Sequence, residues 1–249
     1  MVFFYRENLK TYNPGKSGTG EYNFMVKKEN YFNPADNSDF IRSLKNKLEK
    51  NFSLKEKYPG NTGTALLILD MQNYFSNPDS HAFIPATDSL FPLINTMVGI
   101  FTEAGNPVIF TRHFNAADEN PMNLWWKDRI KKGTTEFEIS GKLDCRKEDK
   151  NVYILDKQYY DAFRNSDLNG IFKNHHIKKI IICGVMTHLC CETTARSGFM
   201  KGYEIYFPID GTADYNGEFH SASSFNLYHG FAYFLSLNGF MENRKRGEK

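Results

Sequence analysis

The sequence is poor in several features that would send its reading elsewhere. No stretch approaches the roughly 18 consecutive apolar residues of a membrane-spanning helix, and the opening Met1-Val2-Phe3-Phe4-Tyr5-Arg6 lacks a basic segment followed by an apolar core. A soluble, cytoplasmic protein with no membrane partner is expected. Cysteine is scarce. The four in 249 residues are Cys145, Cys183, Cys190 and Cys191; they make no disulfide framework, and none stands in a Cys-x-x-Cys pair of the zinc or redox kind. Charge of one sign is missing as well: 31 Lys and Arg stand against 29 Asp and Glu, a formal net charge of +2. That leaves no electrostatic footprint for nucleic acid, and the short basic tail at 242–249 reads as a solvated terminus. There is no Gly-x-Ser-x-Gly elbow for a serine hydrolase, no Gly-x-Gly-x-x-Gly or phosphate loop for a nucleotide, and no internal repeat.

Residues 1–62 lack a sustained apolar period and contain the turn-rich Tyr12-Asn13-Pro14-Gly15. They read as an extension to a domain at 63–241. Within the extension, Asn37-Ser38-Asp39 is placed to cap a helix carrying Phe40, Ile41, Leu44 and Leu48 on one face. Its many aromatics (Phe3, Phe4, Tyr5, Tyr12, Tyr22, Phe24, Tyr31, Phe32) are more than a solvated tail should expose. The extension is therefore expected to wrap its own domain or cross to a neighbour in a homo-oligomer.

Beyond Thr64, short apolar runs alternate with helix-period segments, the pattern of an α/β fold with a mostly parallel sheet covered on both faces. Strands are expected at 65–69, 107–110, 152–155, 179–183 and 204–207, with a weaker sixth at 231–235. This predicts a three-layer α/β/α domain with five or six strands. Helices are expected at 87–105, with Gly105 as the C-cap, and at 159–174 and 189–201. The charged stretch 115–149, with Trp125-Trp126, reads as a lid or an irregular insertion.

In an open parallel sheet the ligand crevice forms at the carboxyl ends of the strands. Three reactive side chains fall there: Asp70 after the first strand, Lys157 after the third, and Cys190 at the start of the helix after the fourth. Singly, these are a cap, a surface charge and a small buried thiol. Together they can make an acyl-transfer centre. A cation and a helix N-terminus favour the thiolate, and a carboxylate can take the thiol proton and return it to a leaving group.

Three ordered segments carry a resemblance. They are Leu67-Ile68-Leu69-Asp70-Met71-Gln72-Asn73-Tyr74-Phe75, Asp156-Lys157-Gln158-Tyr159-Tyr160-Asp161-Ala162-Phe163, and Gly184-Val185-Met186-Thr187-His188-Leu189-Cys190-Cys191-Glu192-Thr193-Thr194-Ala195-Arg196. In this order and spacing, running on to Asp210-Gly211-Thr212-Ala213-Asp214, they resemble the isochorismatase-like cysteine hydrolases.

The resemblance implies that Cys190 is the attacking thiol, Asp70 the proton-transferring carboxylate and Lys157 the orienting cation. It places a cis peptide at Val185-Met186, with the Met186 and Cys190 amides aimed at an oxyanion. Phe75, Trp125 or Trp126, and His188 are expected to wall the pocket. His113 is placed either there or in a structural role, and His220 and His229 are read as structural. Nicotinamidases of this family bind a metal through an Asp-x-His pair and further histidines. The region holding His81 and His113 is read as lacking that pair, so neither metal nor other cofactor is expected. Because isochorismatases proper carry a small residue in place of Cys190, the expected activity is hydrolysis of a C–N bond in a small amide or carbamoyl substrate. The alternatives are a vinyl-ether hydrolase and a catalytically silent small-ligand-binding module.

Overall fold

The computed structural model describes residues 26–32, 39–53, 56–116, 121–126, 130–164 and 166–245. In chain order the elements are α1 (Asp39–Phe52), β1 (Thr64–Leu69), α2 (Asn73–Ser76), α3 (Thr87–Glu103), β2 (Val108–His113), α4 (Pro121–Trp125), β3 (Val152–Lys157), α5 (Leu168–Asn174) and β4 (Lys179–Val185). A π-helical turn at Thr187–Cys191 leads into α6 (Glu192–Met200), followed by β5 (Glu204–Pro208), β6 (Thr212–Ala213), α7 (Gly217–Gly230), β7 (Tyr233–Leu235) and α8 (Leu237–Lys245). Among the described residues no helix is long and apolar enough to cross a membrane.

The sheet runs β3-β2-β1-β4-β5-β7, with β6 paired to β4 and every ladder parallel. The α/β architecture is as expected, with seven strands in place of five or six. The addition is β6, whose two residues are too short to leave an apolar run. β1 and β4 are buried along nearly their whole length, as strands covered on both faces must be. Right-handed crossovers put α3 on one face and α5 and α6 on the other. Phe163, Phe172 and Tyr203 pack together there, and Gly198 of α6 lies against Phe163 and Ile205.

Helix α3 buries Leu90, Ile94, Met97, Val98 and Phe101. Gly105, at φ +71°, ends it as expected. Its N–H donates to the Thr102 carbonyl at 3.0 Å and that of Asn106 to the Phe101 carbonyl at 2.9 Å, a Schellman closure that glycine makes without steric penalty.

The helix expected at 159–174 forms only from Leu168. Before it, backbone groups are committed elsewhere. The Tyr159 carbonyl accepts from Lys157 Nζ, and the Ala162 N–H donates to Thr194 Oγ. Helix α1 buries Ile41, Leu44 and Leu48, each a contribution of about 1.5–3 kcal/mol, and Phe40 seats against Gly217 at the start of α7. The expected cap Asn37-Ser38, the aromatics from Phe3 to Phe24 and the last four residues lie outside the described residues.

The strand order reverses direction between β1 and β4. That is the topological switch point, where a crevice opens at the carboxyl ends.

Candidate active site

Asp70 follows β1 directly in a left-handed conformation, φ +53°, which turns its carboxylate beneath the crevice. Thr111, in β2, holds that carboxylate. Its hydroxyl donates to Oδ1 at 2.7 Å and accepts from the Asp70 N–H at 3.2 Å. Lys157 is the last residue of β3, opposite His113 of β2. Its Nζ lies 2.7 Å from Asp70 Oδ2, with both side chains fully buried, and donates to Cys190 Sγ at 3.2 Å and to the Tyr159 carbonyl at 3.0 Å. The contact with Oδ2 is close but poorly directed, and Oδ2 has no aligned hydrogen bond. It is a buried oxygen still able to accept a proton.

Two neighbouring strands must touch for this to happen. Gly184 of β4 pairs with Leu69 of β1 at φ +109°, and a Cβ there would sit 2.1 Å from the Leu69 carbonyl oxygen. Only glycine fits. One peptide further on, the Val185–Met186 bond is cis, as the resemblance implied, and the π-helical turn then carries Cys190.

The electrostatics differ from the expectation of a thiol lowered toward its thiolate. Burial and the Asp70 carboxylate push Cys190 upward, and the Lys157 ammonium opposes them without prevailing. Burial works against the charge on Lys157, but Asp70 and the Cys190 sulfur outweigh it and the net direction is upward. The arrangement is an ion pair beside a neutral thiol. Cys183 is also pushed up by burial, inside β4 and away from the crevice. Cys191 is fully buried.

Above Cys190 lies a narrow pocket, walled by Tyr74, Phe75, Trp126, Tyr160, Met186 and Tyr215 and also bordered by His81, His113 and Asn115; the centre of a water molecule can occupy about 50 Å³ of it. Phe75, His113 and Trp126 line this pocket. Trp126 Nε1 donates to the Tyr160 hydroxyl at 2.7 Å. Trp125 does not line the pocket and is 63% exposed, because successive residues of a short helix diverge by about 100°. His188 is not in the lining either. Asp214 Oδ2 accepts from its backbone N–H at 2.8 Å and sits 2.6 Å from Nδ1, while Phe219 stacks on the ring at 4.4 Å.

His113 is a buried polar feature of the walls. Its backbone is clamped by Gln72, whose Oε1 accepts from the His113 N–H at 2.8 Å and whose Nε2 donates to the His113 carbonyl at 3.0 Å. The same Nε2 donates to the Phe137 carbonyl at 2.7 Å, tying the 115–149 insertion to the strand ends. Burial, helped by Lys157, pulls His113 down to about 4, so the imidazole is neutral near pH 7. Its Nδ1 is buried with no partner. His220 is likewise pulled down to about 4 by burial, but its Nε2 donates to the Ile209 carbonyl at 3.1 Å, a structural role.

Asp79-Ser80-His81 does have the Asp-x-His spacing that the sequence reading missed. Even so, no group of three His, Cys, Asp or Glu among the described residues could hold a metal ion. Sequence reasoning also missed Thr111 and Gln72. Both are polar residues at strand ends whose burial no periodicity reveals.

The isochorismatase domain profile matches residues 64–238. The chain belongs to the isochorismatase family. Nicotinamidase 3 of Arabidopsis thaliana is 34% identical over 195 residues, 76% of this chain and 92% of its own length. An isochorismatase of Bacillus subtilis (strain 168) is 28% identical over 165 residues, 65% of this chain and 52% of its own. Among solved structures, a cysteine hydrolase from Pseudomonas syringae pv. phaseolicola 1448A has the same fold, with a TM-score of 0.70 at 21% identity over 77% of this chain and 97% of its own. In this member of the isochorismatase family, Asp70, Lys157 and Cys190 meet in the crevice at the β1–β4 switch.

Proposed function

We propose that this protein hydrolyses the C–N bond of a small, compact amide through a thioester on Cys190. The observation that carries the reading is the contact set Asp70–Lys157–Cys190 under an aromatic pocket, with Asp70 Oδ2 paired to the Lys157 ammonium and without an aligned hydrogen bond. Residues 63–241 form the hydrolase unit in this reading, and a nicotinamidase is the relative matched over 92% of its length.

As the substrate carbonyl enters the pocket, Asp70 takes the Cys190 proton and the sulfur attacks the carbonyl carbon. Lys157 stays charged and stabilises the sulfur anion as it forms. The backbone N–H groups of Met186 and Cys190 hold the tetrahedral oxyanion. Asp70 returns the proton to the nitrogen, which departs as ammonia or an amine and leaves the thioester. Asp70 then takes a proton from water, hydroxide attacks the thioester, and the proton returns to sulfur as the acid is released. A neutral resting thiol suits this sequence, because charge separates only when the substrate excludes water. The walls Phe75, Trp126 and Tyr160 would stack a flat acyl group, and His113 Nδ1 would meet a single polar atom at its edge.

Vinyl-ether cleavage is the competing reading, with the Bacillus subtilis isochorismatase as its support, matched over 52% of that protein. It leaves the buried thiol without a task. The purified protein should be assayed for ammonia release from nicotinamide and a panel of N-carbamoyl compounds, and for isochorismate consumption. Amide turnover that disappears in Cys190→Ala supports the proposal. Isochorismate cleavage that survives this substitution overturns it.

A further inference from the structure

Residues 26–32 lie outside the family match at 64–238, yet they are pinned along the edge of the site. The Glu29 N–H donates to the Tyr215 carbonyl at 2.8 Å, and Asn216 Nδ2 donates to the Lys27 carbonyl at 3.2 Å. Lys28 donates to the His81 carbonyl and lies 5.0 Å from the centre of the Tyr215 ring. It thereby joins two residues of the pocket wall, His81 and Tyr215. At the far end, Ser89 Oγ donates to the Phe32 carbonyl.

The central contact is that of Tyr31. Its ring is edge-on to Phe40 at 4.7 Å and packs on His220 at 5.7 Å. Its hydroxyl accepts the backbone N–H of Asp214 at 2.9 Å. Asp214 in turn holds His188 by both its N–H and Nδ1. His188 belongs to the same five-residue turn as Cys190. A second route runs in parallel. Asn216, bonded to Lys27, caps α7 by accepting the Phe219 N–H at 3.0 Å, and Phe219 stacks on His188.

We propose that residues 26–32 are a working part of the active site, and that Tyr31 is a positioning residue which fixes the Cys190 turn through Asp214 and His188. The inference rests on the reading of Cys190 as the nucleophile. From below the turn is held by Thr187, whose hydroxyl lies 3.1 Å from both Thr212 Oγ1 and His220 Nδ1, which leaves its outer side to His188. The clamp on His188 from the outside sets where Sγ stands relative to Lys157 Nζ. With the Tyr31 hydroxyl removed, Asp214 loses its fixed backbone, the turn drifts, and Sγ spends less time within reach of the ammonium and of the carboxylate that takes its proton.

The test follows carbamidomethylation of each cysteine by iodoacetamide in the full chain at pH 7.5 by peptide mass spectrometry, with half-buried Cys145 as internal reference and the melting temperature measured alongside. Tyr31→Phe keeps both ring contacts and removes one oxygen. It is expected to slow Cys190 modification at least fivefold relative to Cys145 at a temperature where the variant is fully folded. Ser89→Ala, which frees the far end at Phe32 and touches neither Tyr31 nor the turn, should slow it in the same direction by at least twofold and serves if Tyr31→Phe fails to fold. A lower melting temperature with an unchanged Cys190 rate in Tyr31→Phe, or in Ser89→Ala alone if only that variant folds, makes the segment merely structural and overturns the proposal. Should the buried, neutral Cys190 of the unaltered protein not react, the same comparison is read on turnover of an accepted amide: a Tyr31→Phe kcat within twofold of the parent overturns the proposal, and turnover that survives Cys190→Ala overturns the nucleophile reading and this inference with it.

Discussion

Replacing Asp70 with Asn separates the two duties that the structure gives this carboxylate. The amide is nearly isosteric, and its oxygen can still accept from Thr111 Oγ, which donates to Oδ1 at 2.7 Å. The other terminus becomes a second donor facing Lys157 Nζ, where Oδ2 now lies 2.7 Å away. Lys157 keeps only the Tyr159 carbonyl and Cys190 Sγ, neither of which offsets a buried charge. Removing one partner of a buried ion pair destabilises by about 3–5 kcal/mol, which for a domain of this size lowers the melting temperature by about 6–20 °C. Turnover should fall by about 10²–10⁴, the usual loss of a general acid–base. Adding Lys157→Met to Asp70→Asn removes the stranded charge, so the double variant should recover most of the melting temperature and none of the turnover. Differential scanning calorimetry and ammonia release from nicotinamide, on the single and double variants, read the two effects apart. A single variant that melts with the parent protein, or a double variant that regains activity with stability, would refute the reasoning.

Other consequences follow from single contacts. Gly184→Ala puts a methyl against the Leu69 carbonyl at 2.1 Å and should either prevent soluble expression or lower stability by more than about 4 kcal/mol, measured by urea unfolding. His113 and His220 are both pulled down from 6.5 to about 4 by burial. The unfolded chain therefore takes up these protons first as pH falls. The stability each contributes is complete above pH 6.5 and is lost toward pH 4, up to about 3 kcal/mol apiece; His220→Gln should flatten that decline in urea melts at pH 7, 5.5 and 4.5. Trp126→Ala should raise KM for a flat amide at least tenfold, whereas Trp125→Ala, on a side chain 63% exposed, should stay within twofold.

The sheet was legible because its inner strands are buried on both faces, so that Leu66-Leu67-Ile68-Leu69 and Ile180-Ile181-Ile182 stand out as unbroken apolar runs. The strand ends were less legible. β2 and β3 continue through Thr111-Arg112-His113 and Asp156-Lys157, polar residues that end an apolar run on paper yet are held by ladder hydrogen bonds and, for Thr111, His113 and Lys157, by burial at the site. Asp70, Lys157 and Cys190 could be placed together because each stands at a strand's carboxyl end, where topology brings them to one edge. Direction was harder to read than position. Trp125 and Trp126 are indistinguishable in sequence, and the Tyr160 hydroxyl that claims Trp126 lies 34 residues away. The charge state of Cys190 depends on its burial and its distance to Asp70, neither of which spacing reveals. Nor could it be seen that Tyr31 meets Asp214, 183 residues on, from a segment without motif or period.

The central claim is that Cys190 becomes acylated. Rapid mixing with nicotinamide or another accepted amide, quenching in acid within a turnover and intact-mass analysis should give a mass increase equal to the acyl group, mapped to the peptide bearing Cys190, with one equivalent of ammonia or amine released and no adduct in Cys190→Ala. Turnover of the same amide by Cys190→Ala at the unaltered rate would contradict the account.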